Sequence, residues 1–192
     1  PEPSCVRFLS AEAVFVPGDD ADHEFGAGAF RLPAPKYAAP FLSALLYRDL
    51  AGLFVRGMLG HARGKQAIRA GLGSIDIGIH DVFEASPDFI RFDASSADDF
   101  WLAHYDAISF PLWQDKCRQR LERQDALEIG RKRERQLDLF ARCAGVEQQR
   151  HLFQRLYGLS TWQIAILRRL GLIKEQRLPP RDELAYPVPQ AA

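Results

Sequence analysis

The sequence predicts an all-α fold, a helical N-terminal region followed by a C-terminal helix-turn-helix. Three observations predict it. Leu42, Leu45, Leu46, Leu50, Leu53 and Phe54 recur at spacings of three and four, the period of a helix with one buried face. Pro111 opens a stretch, 112–143, that contains no further proline. Residues Val146 to Leu170 then read as helix, tight turn, helix.

Taken in order, residues 1–36 are expected to form an irregular N-terminal arm. Val6-Arg7-Phe8-Leu9 and Ala13-Val14-Phe15-Val16 have the composition of short strands or of an arm laid over the domain. Pro17-Gly18-Asp19-Asp20 is a turn, and the run to Pro35 is rich in Gly, Ala and Pro. Residues 37–111 are expected to form an acidic helical region. Pro40 suits the first position of its main helix, where a missing N–H costs nothing. His61 to Gln66 has a superficial likeness to a phosphate loop. Only three residues separate Gly60 from Gly64, however, and Gln66 replaces the Ser or Thr that would hold magnesium.

Ala67 to Ile79 is a second glycine-turn segment. The alternation Ile75/Ile77/Ile79 suits a strand, whereas Ile75, Ile79, Val82 and Phe83 suit a helix, and helix is the reading preferred. Aligning Gly71-Leu72 with Gly158-Leu159 makes it a structural echo of the later hairpin, without that hairpin's arginines. Ser86-Pro87 ends the segment, and Ser96 is expected to cap a further helix to Ala107 carrying Phe100, Trp101, His104 and Tyr105. His80, Asp81, Asp98, Asp99, His104 and Asp106 are the residues from which a metal or acid–base site could be imagined. Asp98 and Asp99 better suit the positive end of a helix dipole. No metal, cofactor or catalytic group is expected.

Residues 112–178 are expected to form a basic helical region, its long helix divided near Gly130. Arg118, Arg120 and Arg123 set against Glu122, Asp125 and Glu128 make a solvated face, or one that meets a partner. Residues 179–192 form a proline-rich, extended tail.

Charge separates along the chain although the net is zero. Residues 1–111 carry 9 Lys+Arg and 15 Asp+Glu, a balance of −6; residues 112–192 carry 16 and 10, a balance of +6. Such asymmetry points to contact with nucleic acid by the basic part. The three cysteines, Cys5, Cys117 and Cys143, are far apart and include no C-x-x-C, which argues against a disulfide framework and a zinc site. The N-terminal residues show no signal-peptide pattern. The apolar run Tyr37–Met58 is interrupted by Pro40, Arg48, Asp49 and Arg56, so it suits a core helix and not a membrane span. The expected compartment is the cytoplasm.

In the hairpin, Leu152, Phe153 and Leu156 make the apolar stripe of the first helix. Gly158 stands where a helix end commonly needs a left-handed residue. Ser160 and Gln163 form a Ser-x-x-Gln capping box, and the second helix buries Ile164, Leu167 and Leu170. In a helix-turn-helix that reads DNA, the N-terminal residues of the second helix approach base edges. Ser160, Thr161, Trp162 and Gln163 are therefore the candidates for base contact, with Arg168, Arg169, Lys174 and Arg177 for phosphates. Trp162 has an equal alternative, packing on the first helix.

From Gly158-Leu159-Ser160 to Arg168-Arg169-Leu170-Gly171-Leu172 the chain resembles a family of uncharacterised proteins encoded on bacterial integrative and conjugative elements. That family is distantly similar to the C subunit of the flagellar master transcriptional regulator, which activates transcription together with a D subunit. The resemblance covers about residues 131–180, with a loose match around Ala67 to Ser86. The flagellar subunit carries a four-cysteine zinc cluster that this chain lacks, so zinc is not carried over. The resemblance implies a DNA-binding regulator, an activator working in a heteromeric complex.

The function expected is thus DNA-binding transcriptional regulation of a mobile genetic element. Its partners would be double-stranded DNA and a second protein subunit, with self-association allowed and no membrane. The alternative is an adaptor subunit that binds protein and does not itself contact DNA. An enzyme is not expected, because no nucleophile–base or nucleotide-binding spacing is present.

Overall fold

The computed structural model describes residues 4–60, 62, 64–69, 76–77, 82–83, 90–93, 101–123 and 130–176. They form a mixed α/β fold, and the all-α expectation is overturned. The organising element is β1, Cys5–Val14, a ten-residue strand at the centre of a six-stranded sheet. Along its first half β1 pairs antiparallel with β3 (Lys65–Ile68) and parallel with β6 (Arg91–Asp93). Along its second half it pairs antiparallel with β2 (Ala29–Arg31) and parallel with β7 (Trp101–His104). The last strand, β8 (Ile173–Glu175), adds antiparallel to β2. Between β3 and β6, β4 (Asp76–Ile77) and β5 (Val82–Phe83) form a separate antiparallel pair.

Sequence reasoning missed this sheet for an identifiable reason. The two apolar quartets expected to be short strands are fused through Ser10-Ala11-Glu12, residues with little intrinsic strand preference. Ser10, Ala11, Glu12, Ala13 and Val14 are all buried, because β1 is covered on both faces. Small side chains there let layers approach closely from either side. Of the helix expected over Ile75–Phe83, the described residues 76–77 and 82–83 form the β4–β5 pair, and the one expected to run to Ala107 contains β7. The isoleucine spacing suited either period; the aromatic spacing suited a helix, and pairing with β1 overrode it.

The helices follow the sequence more closely. Helix α1, Ala39–Tyr47, has its proline in the first turn and gives way to a 3-10 helix over Arg48–Leu53. The break falls at Arg48, whose φ of 50° takes the chain out of the helix. Helices α2 (Phe110–Glu122) and α3 (Arg131–Ala141) are separate, with Gly130 as the N-cap of α3. Helices α4 (Val146–Tyr157) and α5 (Thr161–Arg169) close the helical layer. No helix among the described residues is long and apolar enough to cross a membrane.

One buried cluster joins sheet and helices, running from Ala11 through Trp113 and Phe153 to Leu172. Trp113 packs edge-on against Phe140, Phe153 and Tyr157 at centroid distances of 5.3, 5.4 and 6.3 Å. The charged groups buried in it, Glu12, Arg31 and Asp106, are paired. The register places Arg31, Glu12 and His104 side by side across β2, β1 and β7. Arg31 and Glu12 are 1% and 0% exposed and form a 2.5 Å ion pair. Glu12 also accepts the backbone N–H groups of Leu59 and Gly60, and Arg31 donates to Tyr47 Oη and to the Leu156 carbonyl. Burial opposes the charge on Arg31, but Glu12 outweighs it and raises the guanidinium's pKa.

Candidate nucleic-acid interface

The C-terminal helices meet across three residues, Gly158, Leu159 and Ser160, as the sequence predicts. Leu152, Phe153, Leu156, Tyr157 and Leu159 fill the core from α4 and the turn, and Ile164 and Leu167 fill it from α5. Leu170 is 49% exposed, so the third residue of the expected stripe lies outside.

The expected role of Gly158 is corrected. Its φ is −86°, ordinary extended backbone, so no left-handed conformation is required. Glycine is needed there for space: a Cβ would lie 2.6 Å from the Gln154 carbonyl oxygen. The turn is also stitched to Phe15, just past the end of β1, a contact that no side-chain pattern signals. The Phe15 N–H donates to the Tyr157 carbonyl and the Leu159 N–H donates to the Phe15 carbonyl, both at 2.8 Å.

The capping box is present. The Ser160 N–H donates to Gln163 Oε1 at 2.8 Å, and the Ser160 hydroxyl donates to the same oxygen. Gln163 Nε2 then donates to the Leu46 carbonyl at the end of α1, at 2.6 Å. Both ends of the Gln163 amide are therefore occupied within the fold. Leu46 is the residue that sequence reasoning missed here. It lies 117 positions away, and a backbone acceptor leaves no signal in a side-chain pattern.

The outward side of α5 presents Thr161, Trp162, Ala165, Arg168 and Arg169, all exposed. Trp162 is 43% exposed and borders an open cleft of about 600 Å³ with Val16, Leu46, Arg48 and Arg155. Arg168 forms an exposed ion pair with Glu175. Arg169 has no ion-pair partner among the described residues. Lys174 is half-buried in β8, opposite Phe30 of β2. Arg177 lies outside the described residues. Of the eight sequence-predicted residues, Ser160 and Gln163 thus serve the cap, while Thr161, Trp162, Arg168 and Arg169 share an exposed face.

Several cations of the basic part are committed elsewhere. Arg150 pairs with Asp22 and Arg155 with Asp49, both across to the acidic part. Arg133 grips Asp106 through both its terminal nitrogens, at 3.0 and 2.9 Å, and Lys116 reaches the same carboxylate. Tyr157 Oη donates to Asp106 Oδ2 at 2.6 Å. Burial disfavours the Asp106 anion, yet Arg133 and Lys116 outweigh it and hold the carboxyl far below its usual range. No group of His, Cys, Asp and Glu suited to a metal occurs among the described residues.

Comparison with protein-family models, with curated proteins and with solved structures finds no match to this chain.

Proposed function

We propose that this protein is a DNA-binding transcriptional regulator of a mobile genetic element that docks the outward face of α5 on duplex DNA, as one subunit of a heteromeric complex. The observation that carries the reading is that face. A capped helix, seated on the core through Ile164 and Leu167, leaves Thr161, Trp162, Ala165, Arg168 and Arg169 to solvent. Ala165 leaves room for close approach. Thr161 and Trp162 then meet base edges, Arg168 and Arg169 meet phosphates, and Ser160 and Gln163 hold the helix in place. The ion pair of Arg168 with Glu175 is exposed and worth at most about 1 kcal/mol, so a phosphate can replace Glu175.

The test is binding of the full chain to duplex DNA over a range of salt, by fluorescence anisotropy. Affinity should fall with salt, the slope of the log–log plot losing about 0.9 for each phosphate contact removed. Replacing Arg168 and Arg169 by Ala should therefore weaken binding to every sequence and flatten the slope, whereas Thr161→Ala should change sequence preference. Absence of binding at low salt would leave the adaptor reading in its place.

A further inference from the structure

Helix α1 has one face in the core and another that no described residue covers. Ala39, Leu42, Ser43, Leu46 and Tyr47 are buried. On the outer side Tyr37, Phe41 and Leu45 are 96%, 71% and 43% exposed. They follow one another at four-residue intervals, in the turn before the helix and then within it, so they lie along a single line. Removing such large apolar side chains from water is favourable, and their alignment on one helix is the pattern of a contact surface and not of scattered exposure.

In sequence this line is flanked by cations. Lys36 precedes it and Arg48 follows it; both are exposed, and neither has an ion-pair partner among the described residues. The acidic neighbour Asp49 is held by Arg155 at 2.5 Å. We infer that the outer face of α1 docks an amphipathic helix of a partner protein, with apolar side chains at four-residue spacing and a carboxylate at each end. Such a helix would bury Tyr37, Phe41 and Leu45 and place its carboxylates against Lys36 and Arg48, the helix-on-helix mode of recognition. A second copy of this chain fits badly. Two-fold pairing of the face with itself brings Lys36 or Arg48 against another cation in either orientation, which is repulsive. This inference does not depend on DNA binding by α5.

The test uses the full chain and two fluorescently labelled helical peptides with leucine at every fourth position. One carries glutamates at its ends, the other lysines. The acidic-ended peptide should bind, and the basic-ended peptide should bind about tenfold more weakly. Phe41→Asp should abolish binding of both, with an unchanged circular dichroism spectrum because the site is exposed. Lys36→Glu with Arg48→Glu should reverse the order of the two peptides.

Equal binding of the two peptides by the wild type, or binding of neither, overturns the proposal. So does a wild-type dimer in sedimentation that Phe41→Asp dissociates, since it makes a second copy the occupant. Binding of oligo-dT that Phe41→Asp abolishes would make the face a base-stacking platform instead. Peptide binding that appears only after deletion of residues 177–192 would assign the face to the chain's own tail.

Discussion

Gln163 in α5 and Leu46 in α1 are joined by a 2.6 Å hydrogen bond from Nε2 to the backbone carbonyl. The same side chain accepts from Ser160 at the helix N-terminus, so one amide caps α5 and fastens it to a distant helix. Replacing Gln163 by Ala removes both and leaves a carbonyl and an N–H unsatisfied. The expected cost is about 1–2 kcal/mol, seen as a lower thermal midpoint. DNA sequence preference should be unchanged in that variant. A changed preference with full stability would place Gln163 against DNA and not against Leu46.

Gly158 and Gly145 should respond unequally to alanine. A Cβ on Gly158 would meet the Gln154 carbonyl oxygen at 2.6 Å, and backbone of α4 would have to shift. Gly158→Ala is expected to destabilise by about 1–3 kcal/mol. A Cβ on Gly145 meets nothing within 4 Å, so Gly145→Ala should stay within about 0.5 kcal/mol of wild type. Equal thermal midpoints for the two variants would contradict the close approach at the turn.

The Arg31–Glu12 pair is fully buried, which makes its single and double variants informative. Glu12→Gln leaves a buried guanidinium without a counter-charge, at an expected cost of about 3–5 kcal/mol. Replacing both by apolar residues of similar size, Arg31→Met with Glu12→Leu, should recover much of that loss. Urea denaturation of the three proteins measures it. A double variant as unstable as the single one would mean that Tyr47 and the Leu59–Gly60 backbone, not the charge pair, dominate.

Asp106 should make stability depend on acid pH. Its carboxyl is held far below its unfolded value of about 3.9 by Arg133 and Lys116, against the opposing effect of burial. A depressed folded pKa gives stability that is present above the unfolded value and is lost as pH falls toward the folded one. Asp106→Asn should therefore be less stable than wild type at neutral pH, and the gap should narrow below about pH 4. Chemical denaturation across that range gives the comparison. A gap independent of pH would assign the loss to packing around Tyr157 and not to charge.

What the sequence determined by itself is local. Pro40 in the first turn of α1, Gly130 before α3, the stripe of Leu152, Phe153 and Leu156, and the Ser160–Gln163 cap all depend on residues within a few positions of one another. Their chemistry needs no knowledge of the rest of the chain. The tertiary structure alone decided the sheet. Ser10-Ala11-Glu12 becomes the middle of a central strand because β2, β7 and the layers above and below bury it, and residues about 90 positions apart supply the pairing. Ile77 likewise stood in a pattern that either period could use, Trp101 in one that suited a helix, and strand partners settled both. The candidate interface was legible to the same degree. Which residues start α5 could be read from its cap; that Gln163 is tied to Leu46 while Trp162 and Arg169 face solvent depended on where α1 came to rest.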